Sequence, residues 1–293
     1  MGKTVELCID IGATKTLFLK PDELVDSWMR ISTDLFLDDM EDMLKRAADG
    51  YLESVKRVAV GAIGPMDVEK GVLYPPNRDE EIIPIIDLLS DYFDDIVLLN
   101  DCHAGVIGEY VYGEEKSQDM VYITYSTGIG AGVISNGHLL RGKGGNFAEA
   151  GHLNVGGELP CGCGGKGHWE GYCGGKNLLE FVKSFTGAEY DEPRAVFQDY
   201  YDGDDVIVDF MDEYQRMNVI GIENIIRAYD PELIVIGGAM ALNHPDIFID
   251  ETIQRLDQMD LLDTPKVIPA SLGNYSVIEG LRAVVKDEFD LEK

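Results

Sequence analysis

The stretch Val5-Glu6-Leu7-Cys8-Ile9-Asp10-Ile11-Gly12-Ala13-Thr14-Lys15-Thr16-Leu17-Phe18-Leu19 runs from an apolar segment through a polar glycine turn into a second short apolar segment. It predicts a β-hairpin, with strands over Val5–Ile11 and Thr16–Leu19. The same figure returns later as a strand over Met120–Thr124, a Gly-rich turn over Tyr125–Gly130 and a strand over Ala131–Ile134. Asn136-Gly137 then gives a two-residue hairpin signal before Leu139-Leu140.

Around the first copy, apolar periodicity adds a strand over Leu24–Ile31 and an amphipathic helix over Leu35–Leu52, with Leu37, Met40, Met43, Leu44 and Ala47 on one face. A strand over Arg57–Ile63, a helix near Ile85–Phe93, a strand over Ile96–Leu99 and a helix over Ala104–Val111 follow. Around the second copy come a Gly-rich insertion, several helices, a strand over Leu233–Ile236 ending in Gly237-Gly238, and a helix. A short strand at Val267-Ile268 and a last helix from Ser276 to about Lys286 complete it. Each half reads βββαβα. Two such α/β halves facing across a cleft would aim both glycine turns at one ligand. The polar connection Tyr112–Gln118 marks the boundary, so residues 1–114 with 277–293 form a smaller α/β domain and residues 115–276 a larger one.

The chain has 293 residues with 24 basic and 54 acidic side chains, a formal net charge of −30. That balance, without a Lys/Arg stripe, argues against nucleic acid as a partner. No run of about 18 apolar residues spans a membrane, and no signal peptide opens the chain, so a cytoplasmic protein is expected. Acidic runs such as Asp38–Asp42 and Asp202–Asp205 read as solvated faces. Such self-repulsion suits a host with high internal salt, where screening makes it tolerable.

Asp10 at a strand end, followed by the turn through Gly12, Ala13, Thr14 and Lys15, presents N–H groups, a hydroxyl and an ammonium to a phosphate, while the carboxylate can hold a metal-bound water. Thr127, Gly128 and Gly130 form the counterpart turn, and Gly237-Gly238 a third one at a strand's carboxyl end. Asn100-Asp101 joins an apolar strand to a helix, which allows two readings: a helix N-cap, or a general base and hydrogen-bonding partner for a substrate hydroxyl. Five cysteines, an odd number, rule out a simple disulfide framework. His152, Cys161, Cys163 and His168 around tight glycine turns suit a closed structural zinc site, with Cys173 as a spare ligand and a redox thiol pair as the alternative. Glu149 and Glu170 flank these donors and suit a polyhydroxyl substrate.

Taken in this order, the motifs resemble the ROK family (repressors, open reading frames, kinases) over nearly the whole chain. Asp10–Lys15 is similar to its first phosphate motif, Ser126–Gly130 to its second and Ile236–Gly238 to its adenosine motif. Gly64-Pro65-Met66-Asp67 with Pro76-Asn77 resembles the sugar-side loop, Asn100-Asp101 the catalytic pair, and Glu149–Glu170 the sugar-plus-zinc signature. The resemblance implies a ribonuclease H-like, actin/hexokinase-type fold, with ATP, Mg²⁺ and structural Zn²⁺ as cofactors. It implies a homo-oligomer, dimer or tetramer, that phosphorylates the 6-hydroxyl of a hexose. Asp101 is then the base, and Asn77, Asn100, Asp101, Glu149, His152 and Glu170 hold the sugar. Glucose is the expected substrate, with N-acetylhexosamines or fructose as alternatives and non-catalytic sugar binding as a more distant one. The family usually has a third Cys where this chain has His168, and often a second Gly at Ala13. A repressor of the family would need a helix-turn-helix ahead of the first strand, which here begins by about Val5.

Overall fold

The computed structural model describes residues 5–12, 15–19, 29–48, 52–74, 82–258 and 263–291. Strand β1 (Val5–Ile11) is the central strand of the first sheet, with Leu7, Ile9 and Ile11 on one face and Glu6, Cys8 and Asp10 on the other. Leu7, Ile9 and Ile11 join one core and Cys8 is buried apart from it. β1 pairs antiparallel with β2 (Lys15–Leu19), which pairs antiparallel with β3 (Met29–Ser32). Helices α1 (Thr33–Asp38) and α2 (Met40–Ala48) lead to β4 (Val55–Ala62), parallel to β1. A small hairpin, β5 (Met66–Asp67) and β6 (Val72–Leu73), precedes α3 (Ile85–Ser90) and β7 (Asp95–Asn100), parallel to β4. The order is β3-β2-β1-β4-β7. Helix α4 (Asp101–Tyr112) leaves the end of β7 directly.

The second sheet repeats this plan. β8 (Met120–Tyr125) pairs antiparallel with β9 (Ile129–Ser135), and β10 (His138–Leu139) continues from β9 through Asn136-Gly137, both at positive φ as the two-residue hairpin signal requires. Helices α5 (Trp169–Cys173), α6 (Gly175–Thr186), α7 (Pro193–Asp202) and the long α8 (Asp205–Tyr229) follow. Then β11 (Leu233–Gly237), parallel to β8, is followed by α9 (Ala239–Asn243), α10 (Glu251–Leu256) and β12 (Lys266–Pro269), parallel to β11. The order β9-β8-β11-β12 is that of β2-β1-β4-β7. Helix α11 (Ser276–Val285) ends the plan.

By its contacts the chain divides into one unit of residues 1–116, 136–147 and 274–293 and another of 117–135 and 148–273. The segment 136–147, which the sequence assigned to the larger domain, groups with the first unit. Its Asn146 and Gly144 bond the backbone of Met66 and Val68. In the first unit α11 crosses α4 with backbone nearly touching backbone: a Cβ on Gly280 would overlap the Ala104 carbonyl, and one on Gly108 the Ser276 carbonyl. In the second unit Trp169 is buried against Tyr125, its Nε1 donating to Asn218 Oδ1 at 3.2 Å, while Tyr125 Oη donates to the same oxygen at 2.7 Å. This fully buried polar set fixes α8 against α5 and β8.

One expected element changes. The helix expected over Leu35–Leu52 is two helices, broken where Asp39 takes φ −140°, although Phe36, Met43, Leu44 and Ala47 stay buried across the break. Of the strand expected over Leu24–Ile31, residues 29–31 are described, and they lie in β3.

Candidate active site

In the first unit, β1, β4 and β7 run parallel and end together, with Ile11, Ala62 and Asn100 side by side in the register. Gly12, Gly64 and Asp101 therefore lie just past one edge of the sheet, where open α/β sheets bind ligands. Asn100 supplies the helix cap that the sequence offered to Asp101: its Oδ1 accepts the Cys102 N–H at 2.9 Å. Asp101 Oδ1 accepts the same N–H at 2.8 Å. Burial raises the Asp101 carboxyl above its ordinary value of 3.8 in spite of that bond. Asp10, on β1, is pushed up to about 7, first by burial and then by the charge of Asp101. A buried carboxyl whose ionisation a second carboxylate opposes favours a proton or a cation.

The first turn is braced by hydroxyls. Thr33 Oγ1 donates to the Gly12 carbonyl at 2.8 Å and lies 3.1 Å from Thr16 Oγ1, while the Gly12 N–H donates to the Lys15 carbonyl at 3.0 Å. Lys15 is exposed. Ala13, Thr14 and Asn77 lie outside the described residues. The loop Gly64–Asp67 is held by Asn146, whose Oδ1 accepts the Met66 N–H at 2.8 Å and whose Nδ2 donates to the Met66 carbonyl at 2.5 Å. Two residues past Asp101, the buried His103 sets Nε2 3.1 Å from the Phe147 carbonyl, and burial lowers its imidazole to about 4, so it is neutral at physiological pH. Neither Asn146 nor His103 was singled out by the sequence. A His in a helix's first turn and an Asn closing the Gly-rich run Gly144-Gly145 were the available signals.

In the second unit Thr124 stands beside Gly237 in the register of β8 and β11, so the turn Ser126–Gly128 and Gly238 share the corresponding edge. Thr127 is exposed and Gly128 and Gly130 are half-buried. The N-terminus of α6 is tied to this turn: the Gly175 N–H donates to the Ser126 carbonyl at 3.0 Å and the Lys176 N–H to the Thr127 carbonyl at 2.9 Å. Gly238 has φ +86°, and a Cβ there would overlap the Tyr125 carbonyl, so only glycine fits.

The four expected metal donors converge. One ligand atom from each of His152, Cys161, Cys163 and His168 lies within 4.8 Å of the others. His152 Nδ1 is 3.5 Å from Cys161 Sγ, and His168 Nδ1 is 3.1 Å from Cys163 Sγ. Tetrahedral zinc with bonds of about 2.0–2.3 Å needs ligand atoms about 3.3–3.8 Å apart, so the set fits a metal ion with small adjustments. Burial, with Cys163 alongside, pushes the Cys161 thiol up to about 11. A thiolate there at neutral pH calls for a cation. Cys173 is not part of the set: it is fully buried, its Sγ 3.7 Å from the Tyr214 carbonyl. The Glu149 carboxylate lies 3.7 Å from His152 Nε2, the ring nitrogen away from Cys161. Glu170, half-buried, has one oxygen engaged, Oε2 accepting the Ile129 N–H at 2.8 Å.

Two sheets of one topology, each carrying ligand-type turns at its carboxyl edge, define an α/β protein of the ribonuclease H-like, actin/hexokinase type. Residues 6–288 match the model of the ROK family. A glucokinase of Pyrobaculum calidifontis is 36% identical over 281 residues, 95% of this chain and 94% of its own length. The crystal structure of a ROK family glucokinase from Streptomyces griseus in complex with glucose and AMPPNP is similar with TM-score 0.79 at 26% identity, covering 97% of this chain and 99% of that one. A ROK hexokinase from Thermus thermophilus gives TM-score 0.81 at 25% identity, over 97% and 99% of the two chains. The chain belongs to the ROK family.

Proposed function

We propose that the protein is an ATP-dependent kinase that phosphorylates glucose, with Asp101 as general base toward the 6-hydroxyl. The observation that carries the reading is Asp101 itself, a carboxyl at the first residue of α4, past the carboxyl edge of the sheet, whose affinity for a proton is raised by burial. A base of raised pKa takes a hydroxyl proton more readily at neutral pH. The glucokinase relatives supply the substrate pair.

Phosphoryl transfer asks mainly for positioning and charge stabilisation. Asn77, Asn100, Glu149, His152 and Glu170 orient the sugar, and Asp101 accepts its 6-hydroxyl proton as that oxygen attacks the γ-phosphoryl group. Thr14, Lys15, Thr127 and the N–H groups of both turns hold phosphates, Gly237-Gly238 lets the adenosine approach the backbone, and Asp10 serves the Mg²⁺ side. Bound Mg²⁺ neutralises phosphate charge. The four donors His152, Cys161, Cys163 and His168 suit a structural Zn²⁺, which fixes a glycine-rich segment poor in apolar side chains. No helix of the described residues is long and apolar enough to cross a membrane.

The test is ADP release with ATP, Mg²⁺ and a panel of hexoses and N-acetylhexosamines, at low and at molar KCl. Turnover with glucose above the other sugars is expected, and it should be higher in molar KCl if the −30 charge is an adaptation to salt. Sugar binding by calorimetry without ADP release at either salt would overturn the kinase reading.

A further inference from the structure

Ile129, the first residue of β9 and the residue directly after the turn Ser126–Gly128, is gripped by both arms of the metal-donor segment. On one side Gly151, next to His152, presses so closely on the Ile129 carbonyl that a Cβ at Gly151 would overlap it. On the other side Glu170, two residues past His168, accepts the Ile129 N–H at 2.8 Å, and its carboxylate fills the space a Cβ on Gly128 would need. The arms are short. His152 ends a three-residue 3₁₀ turn, and His168 is the residue from which α5 starts, with the Trp169 N–H donating to the Leu153 carbonyl at 2.9 Å. Between the arms lies the Gly-rich loop 156–167, in which four glycines hold positive φ and whose intrinsic freedom is therefore large.

We infer that Glu170 is a positioning residue for the nucleotide: the metal-donor cluster, acting through Glu170 and Gly151 on Ile129, sets the shape of the turn Ser126–Gly128 and so the affinity for ATP. The inference rests on the reading of that turn as a phosphate site and deepens it. A ligand that joins His152 to His168 orders both arms, and ordering Ile129 beforehand removes part of the cost of ordering the turn around a phosphate. On the reading of Glu170 as a sugar ligand, one side chain then serves both the acceptor and the nucleotide turn.

The test is calorimetric binding of Mg·ADP without any sugar, so that contacts of Glu170 to the acceptor do not enter. Zinc-loaded wild type, Glu170→Ala and Glu170→Gln are compared, with zinc content and melting temperature measured on each, and each protein is measured again after chelation. Losing a charge-assisted bond to a backbone N–H should weaken Mg·ADP binding roughly tenfold or more in Glu170→Ala. Glu170→Gln keeps an acceptor oxygen and should recover most of that loss. Chelation should weaken wild type by a similar factor but add little in Glu170→Ala, because both act through Ile129. Binding within twofold of wild type in zinc-loaded Glu170→Ala overturns the inference. Equal loss in the Ala and Gln variants would show that charge rather than the bond is at work and also overturns it. Failure of zinc-loaded wild type to bind Mg·ADP sinks the phosphate reading itself, a result distinct from either.

Discussion

At the carboxyl edge of the first sheet stand Asp10 and Asp101, two carboxyls raised above their ordinary values. At the corresponding edge of the second sheet stand Thr127, Gly128, Gly237 and Gly238, with no titratable side chain among them. The strand orders β2-β1-β4-β7 and β9-β8-β11-β12 are the same, and so are the parallel and antiparallel pairings. Topology therefore supplies the place, while the choice of residue decides the charge that the place accepts. Carboxyls drawn together invite a proton or a cation, whereas a turn of glycines lets a ligand come close to the backbone.

The comparison breaks most visibly at Asp101. Asp101→Asn keeps the shape and the Cys102 contact but removes the base of the proposed mechanism, and kcat should fall roughly 10²–10⁴-fold while sugar affinity by calorimetry stays within a few-fold. In wild type the base acts when ionised, so kcat/KM should fall as pH drops through the Asp101 pKa, which lies above 3.8. Near-normal turnover in Asp101→Asn would remove that residue from the reaction. On the glycine edge, Gly238→Ala places a side chain at φ +86° against the Tyr125 carbonyl. A loss of about 1–3 kcal/mol is expected from the backbone conformation alone. It should appear as a lower melting temperature and a raised KM for ATP, with the KM for sugar little changed; equal effects on both substrates would deny the two edges separate duties.

At Asp10 the expected effect is on stability rather than turnover. Its folded pKa of about 7 lies above the ordinary 3.8, so the fold favours the protonated form. The stability this group contributes is complete below its unfolded pKa and is lost as pH rises through about 7. In Mg²⁺-free buffer Asp10→Asn should match wild type in acid and melt above it at pH 8, by up to roughly 10 °C on a scale of about 2–4 °C per kcal/mol. A gap that opens toward acid instead would contradict the burial of this carboxyl.

Much of this arrangement was legible in the residues because repeated apolar runs and glycine turns are local signals. Val5–Leu19 and Met120–Ile134 announce the two hairpins, and the strand ends at Leu99 and Ile236 announce the edges. The donors His152, Cys161, Cys163 and His168 were legible because thiolates and imidazoles crowded among glycines have few other uses. Contacts that bridge distant segments were not. Nothing near Glu170 in sequence reveals that its oxygen meets the Ile129 N–H, and nothing near His103 reveals the Phe147 carbonyl. The break at Asp39 escaped for a different reason: the apolar stripe runs on in phase across it, and periodicity reports only the stripe.

The crossing of α4 and α11 has a consequence in time. Asp101 opens α4, and one side of that helix is covered by residues 276–285, which the glycines Gly108 and Gly280 admit to backbone contact. On the ribosome, Asp101 emerges long before its helix has a partner, and synthesis at roughly 5–20 residues per second leaves it waiting for many seconds. On the proposed mechanism, the helix that carries the base gains its packing against α11 only when residues 276–285 arrive, so a nascent chain already carrying both glycine turns still lacks a fully seated proton acceptor.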